Sequence, residues 1–196
     1  MTTNARKLAQ LVRDIRACRI CADILDPHPV LHVRDSARLL IASQAPGLRV
    51  HLSGLSFDDA SGDRLRDWMG IDRTVFYDDK RIALAGMAFC FPGYKDGADL
   101  PPPKICAQHW RRDLLALLPN IKLTLLVGIY GQQWHLGDRV KSNMTETVRA
   151  WHEYGPGYIP LPHPSWRNNG WLKKNPWFEA ELVPYLRGRV RRVLSS

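Results

Sequence analysis

The sequence predicts a single α/β domain: a central, mostly parallel four-stranded sheet flanked by helices. Three observations predict it. Four short apolar runs, at 37–43, 81–90, 121–129 and 157–165, alternate with segments of helical periodicity. The runs are apolar on both strand faces, as expected where helices cover a sheet from either side. The chain of 196 residues is long enough for one sizeable core, and no linker or shift of composition divides it.

The elements follow in order. Leu8, Leu11, Val12 and Ile15 recur at helical spacing, so the first segment reads as an amphipathic helix and not as the apolar centre of a signal peptide. "ARLLIAS" (37–43) is a buried strand that stops at the turn "QAPG". "DASGDRLRDWMGI" opens with polar and glycine residues and predicts a helix from Ser61 to Met69. "RIALAGMAFC" (81–90) is the second strand, and "GYKDGADLPPP" is a long loop whose prolines precede a helix over 104–118. "IKLTLLVGI" (121–129) is the third strand, followed by a short helix through Gln132 and Trp134. "GYIPLPHPS" (157–165) is the fourth and runs directly into "WRNNGW". The last segment, "PWFEAELVPYLRGRVRRVL", is a helix with Pro184 as a candidate interruption.

Composition narrows the partners. The longest apolar runs, such as Leu123 to Ile129, fall far short of the ~20 residues of a membrane span, and a cytoplasmic protein is expected. A formal charge of +9 favours a polyanionic partner. The placement of the charge sharpens this: Arg167, Lys173 and Lys174 lie among Trp166, Trp171 and Trp177. Cations interleaved with aromatics suit phosphate contact together with base stacking, so DNA is the expected partner. Trp166 and Trp171 equally suit bracing of the loop against the core.

The four cysteines are Cys18, Cys21, Cys90 and Cys106. A C-x2-C pair with two more near a proline-rich loop suits a four-thiolate metal site. Spacing alone does not separate an iron–sulfur cluster from zinc, or either from reduced core thiols. Disulfides are not expected in a reducing compartment. In a parallel sheet, ligands gather at the carboxyl ends of the strands, which places "SQAPG" and "HPSWRNN" on one rim.

Three blocks in order, "SQAPGLRVHLSGLSFDDASGDRLRDWMG", "AFCFPGYKDGADLPPPKICAQHW" and "HPSWRNN", resemble the uracil-DNA glycosylase superfamily over nearly the whole chain. The first is similar to the G-E-A-P-G pattern of the iron–sulfur enzymes of families 4 and 5, here Gln44-Ala45-Pro46-Gly47, then Gly54, Phe57 and Gly62. The cysteines resemble the [4Fe–4S] ligands of those enzymes. The resemblance implies a monomeric, monofunctional DNA glycosylase with a uracil-DNA glycosylase-like fold, since no lysine matches a Schiff-base site. It would flip out and excise uracil or another deaminated base from single- or double-stranded DNA.

The same resemblance implies the roles. His163 faces a pyrimidine carbonyl, Phe57 stacks on the flipped base, and the main chain at Gln44 and Ala45 binds a base carbonyl. Ser165 orders the loop or meets a phosphate. Arg167, Asn168 and Asn169 meet the backbone or fill the gap. Gln44 replaces the catalytic Glu and Ala45 the catalytic Asp of the other branch. "FDDASGD" is similar to the family 5 segment that holds a catalytic Asp, which makes Asp59 the candidate and Asp58 the second; a helix cap is the competing role for either. Gly86 stands where an Asn often reads uracil, which implies weaker selection or a larger pocket. Gln44, Ala45 and Gly86 together also fit a catalytically impaired nucleic-acid binder on the same fold. A metallohydrolase reading on His28 and His32 lacks acidic partners, and His109, His135 and His152 look scattered.

Overall fold

The computed structural model describes residues 2–195. The chain opens with α1 (Thr3–Arg16), whose Thr2 hydroxyl caps the helix by accepting from the Ala5 N–H at 3.1 Å. There follow β1 (Leu39–Ala42), α2 (Leu48–Ser53), α3 (Ala60–Met69), α4 (Arg73–Phe76) and β2 (Ile82–Leu84). A small hairpin of β3 (Tyr94–Lys95) and β4 (Ala98–Asp99) precedes α5 (Lys104–Ala116). The second half runs β5 (Leu123–Val127), α6 (Ile129–Leu136), α7 (Met144–Arg149), β6 (Tyr158–Leu161), α8 (Asn169–Lys174) and α9 (Val183–Ser195).

The four main strands form a wholly parallel sheet in the order β2-β1-β5-β6. Successive side chains of a strand point to opposite faces. Leu39 and Ile41 of β1 meet Leu65 and Met69 of α3 and Leu186 and Val190 of α9. Leu40 meets Leu8 and Ile15 of α1 and Leu114 of α5. Each face therefore needs apolar residues, which is why these strands read as unbroken apolar runs.

The second run differs from its sequence expectation. Only Ile82–Leu84 is strand. Beyond Ala85, the Met87 and Ala88 N–H groups both turn back to the Gln44 carbonyl at 2.9 and 3.0 Å. Residues 85–90 are apolar because they are buried, not because they are extended. The loop after them carries the hairpin, turned by Asp96 and Gly97 at φ 51° and 72°, the positive pair that a two-residue hairpin turn requires. The C-terminal interruption is a π-helical turn over Phe178–Leu182, where the Val183 N–H reaches back to the Phe178 carbonyl just before Pro184. Among the described residues no helix is long and apolar enough to cross a membrane.

Candidate functional site

The chain leaves β1 for β2 on one side of the sheet, while β5 and β6 lie on the other. This reversal opens a crevice at the carboxyl ends of β1 and β5, the usual ligand site of such sheets. Three segments end there: 43–47 after β1, Gly128 after β5, and Pro162-His163 after β6.

His163 sits beside Gly128, where a glycine Cβ would lie 3.8 Å from the histidine Cβ. Its Nδ1 accepts the Ser165 N–H at 3.3 Å, so the neutral ring carries its proton on Nε2. Burial lowers its pKa below the ordinary 6.5, against the opposing pull of Asp59 and Asp99. The ring is thus a neutral donor at physiological pH. The chain at and just before it is held at two carbonyls. Asn168 Nδ2 donates to the His163 carbonyl at 2.6 Å, and the fully buried Gln132 donates to the Leu161 carbonyl at 3.0 Å.

Asp59 caps α3, with Oδ1 accepting the Gly62 N–H at 2.9 Å. The cap and proximity to His163 coexist, because a carboxylate has a second oxygen to offer. Asp58 is instead paired with Arg73 at 2.6 Å, and that guanidinium holds its carboxyl below the usual carboxylate range. Phe57 stands in the left-handed region at φ 60°, costly for a residue with a Cβ. The chain holds it there: a Cβ on Gly62 would lie 1.8 Å from the Phe57 carbonyl oxygen, and the buried Arg66 reaches that oxygen at 3.3 Å. Its half-buried ring meets Phe76 edge-on at 5.8 Å.

The Gln44 and Ala45 N–H groups donate to no main-chain carbonyl among the described residues, which leaves both as donors at the crevice. A Cβ at Gly86 would lie 2.8 Å from the Ala88 carbonyl oxygen and 3.4 Å from the Ser43 hydroxyl, so main chain crowds the side-chain position there. The Gly86 carbonyl accepts from Arg111 at 2.8 Å, which ties this segment to α5.

The basic loop divides by role. Trp166 is 72% exposed, while Trp171 donates from Nε1 to the Thr145 hydroxyl at 2.7 Å and meets Phe178 at 5.7 Å. Trp177 meets Trp171 at 5.9 Å. Two tryptophans brace and one projects. Arg167 donates to the Gly97 carbonyl, Arg64 donates to the Ser165 carbonyl at 3.1 Å, and Asn169 is exposed at the start of α8.

All four cysteines are free and partly buried, and they line one apolar cavity with Ile15, Leu25 and Trp110. Burial pushes the Cys106 thiol up to about 12 and Cys90 to about 11, while backbone N–H groups of Phe89 and His28 pull the other way. No group of three or more His, Cys, Asp or Glu side chains among the described residues is arranged to hold a metal ion. His28 instead meets the His51 ring at 5.1 Å, and His32 joins a bridge to Leu84.

Arg111, Gln132 and Asp99 were missed by sequence reasoning. Arg111 is buried, donates to the Ala85 and Gly86 carbonyls, and meets His135 Nε2 at 2.9 Å. Its spacing with Ala107 and Leu114, on the buried face of α5, was the available signal. Beside that cation, and buried, His135 falls to about 3. The family model described as the uracil DNA glycosylase superfamily matches residues 31–187, a span that includes Cys90 and Cys106 but not Cys18 and Cys21.

Proposed function

The chain belongs to the uracil DNA glycosylase superfamily, and from that premise we propose that it is a monofunctional glycosylase that excises uracil or another deaminated base from DNA. The observation that carries this reading is His163: a partly buried, neutral imidazole whose Nδ1 is occupied, beside Gly128 at the rim that also carries the Gln44 and Ala45 N–H groups, unpaired among the described residues. As the glycosidic bond breaks, negative charge grows on the departing base. The Nε2–H and the Gln44 and Ala45 N–H groups are donors placed to strengthen their bonds at that moment, without reorganisation. Phe57 offers its ring to the extruded base, and Asp59 and Gln44 are the groups that orient water and face the developing positive charge of the sugar. The exposed Trp166 and the cations near it meet the strand.

The four thiols line one cavity, which supports a metal group held there, a [4Fe–4S] cluster with zinc as the alternative. Cys18, Cys21, Cys90 and Cys106 would hold it, and the N–H groups aimed at Cys90 and Cys106 suit charged sulfur. A cluster there supplies a structural tie between the segment after α1 and the start of α5. Purified protein with iron absorption and about four irons per chain supports this reading; colourless protein with zinc overturns it.

A second reading, a catalytically impaired nucleic-acid binder, draws on Gln44, which carries no charge. An excision assay separates the two. Oligonucleotides with uracil, hypoxanthine or xanthine are incubated with wild type and His163→Ala, then treated with alkali. Cleavage that the variant loses supports the glycosylase. Binding without cleavage of any of them supports the binder.

A further inference from the structure

We propose that Asp99, at the end of the small hairpin, is a second catalytic carboxylate of the crevice and supplies the negative charge that Gln44 lacks; this rests on the glycosylase reading above. Asp99 closes β4 and is exposed, and its Oδ2 lies 3.9 Å from where a Gly47 Cβ would stand, so its carboxylate faces the end of the Gln44-Ala45-Pro46-Gly47 turn. The hairpin is tied to the histidine loop from the other side, by Arg167 donating to the Gly97 carbonyl. The charge of Asp99 also reaches the His163 ring, where it acts together with Asp59. Segments far apart in sequence thus bring a carboxylate beside Gly47 and within electrostatic reach of a neutral imidazole.

The neighbouring acids are less free. Asp59 spends one oxygen on the cap of α3, and Asp58 is bound to Arg73. Asp99 accepts no hydrogen bond or ion pair among the described residues. In the reaction, the glycosidic bond breaks with its electron pair leaving on the base nitrogen. The oxygen of a water forms the new bond to the sugar carbon, and one of its protons passes to Asp99. That proton then returns through solvent to the base, so water is divided between an abasic sugar and a free base. Asp99 orients the water and balances the cationic sugar, the two tasks for which a carboxylate is better than Gln44.

The test is single-turnover excision by the full-length protein, on the same three oligonucleotides, with binding and thermal midpoint measured in parallel. Asp99→Asn is expected to slow excision by about 100-fold, with affinity and midpoint unchanged. Gln44→Glu added to Asp99→Asn is expected to restore at least about tenfold, because a negative charge returns to the turn that Asp99 faces at Gly47. If Asp99→Asn excises at the wild-type rate while His163→Ala does not, the proposal fails and the glycosylase reading stands. If Asp99→Asn is slow and Gln44→Glu restores nothing, the charge role is overturned. If wild type excises none of the three bases, the glycosylase reading falls and takes the proposal with it.

Discussion

The crevice and the thiol cavity are two partly buried regions in which burial acts in opposite chemical directions. In both, burial favours the neutral form. His163 is neutral because it has lost a proton, and a neutral imidazole is already a competent donor. Cys90 and Cys106 are neutral because they keep theirs, and a neutral thiol is a poor ligand. Desolvation therefore completes the crevice but keeps the cavity's thiols protonated, and the proposed metal group would have to exchange for those protons. Chemistry and stability should accordingly come apart under mutation.

The largest expected effect breaks one region without the other. His163→Ala should lower excision by roughly 10²–10³-fold with little change in melting temperature; a large fall in melting temperature would show the ring to be a packing residue. Cys106→Ser should do the reverse. Because the binding energy of a structural metal group is folding energy, its loss should lower the midpoint on the order of 10 °C and abolish iron absorption. An unchanged midpoint in metal-depleted protein would remove the tie assigned to the cavity.

The next pair sharpens the division within the basic loop. Trp171→Ala should destabilise the fold by about 3 kcal/mol, measured by denaturant titration, since the ring meets Phe178 and Thr145. Trp166→Ala should leave stability alone and weaken single-stranded DNA binding by about tenfold. Matching stability losses would place both rings in the core.

Smaller effects come from pH. On acidification below the ordinary imidazole value of 6.5, the unfolded chain takes up a proton at His163 before the folded protein does. Stability should decline from there downward, excision only at the lower pH where the folded His163 itself takes up a proton, and both declines should shrink in His163→Gln. In metal-free protein the alkaline side mirrors this. Above the ordinary thiol value of 9.0 the unfolded chain releases protons that folded Cys90 and Cys106 retain, so stability should fall as pH rises, less so in Cys106→Ser. Last, Asp59→Asn should reduce excision more than Asp58→Asn, because Asn still caps α3 while its charge is gone; equal effects would reject Asp59 as the group beside His163.

By itself the sequence determined the local and the periodic. Apolar runs without alternation announced a parallel sheet, the spacing of Leu8 and Ile15 announced α1, and "QAPG" and "HPS" after strands announced one rim. Pairing distances and closed spaces were decided by tertiary structure alone. Gly86 looked like an open position, and only the fold showed the Ala88 carbonyl already there. Trp166 and Trp171 looked alike, and only packing gave one to solvent and one to the core. Asp99 sat in an ordinary polar loop until a hairpin carried it over Gly47. The physical reason is the same in each case. Periodicity records which face of an element is buried, whereas a site depends on which distant segments share a few ångströms, and nothing in a single segment encodes its neighbour.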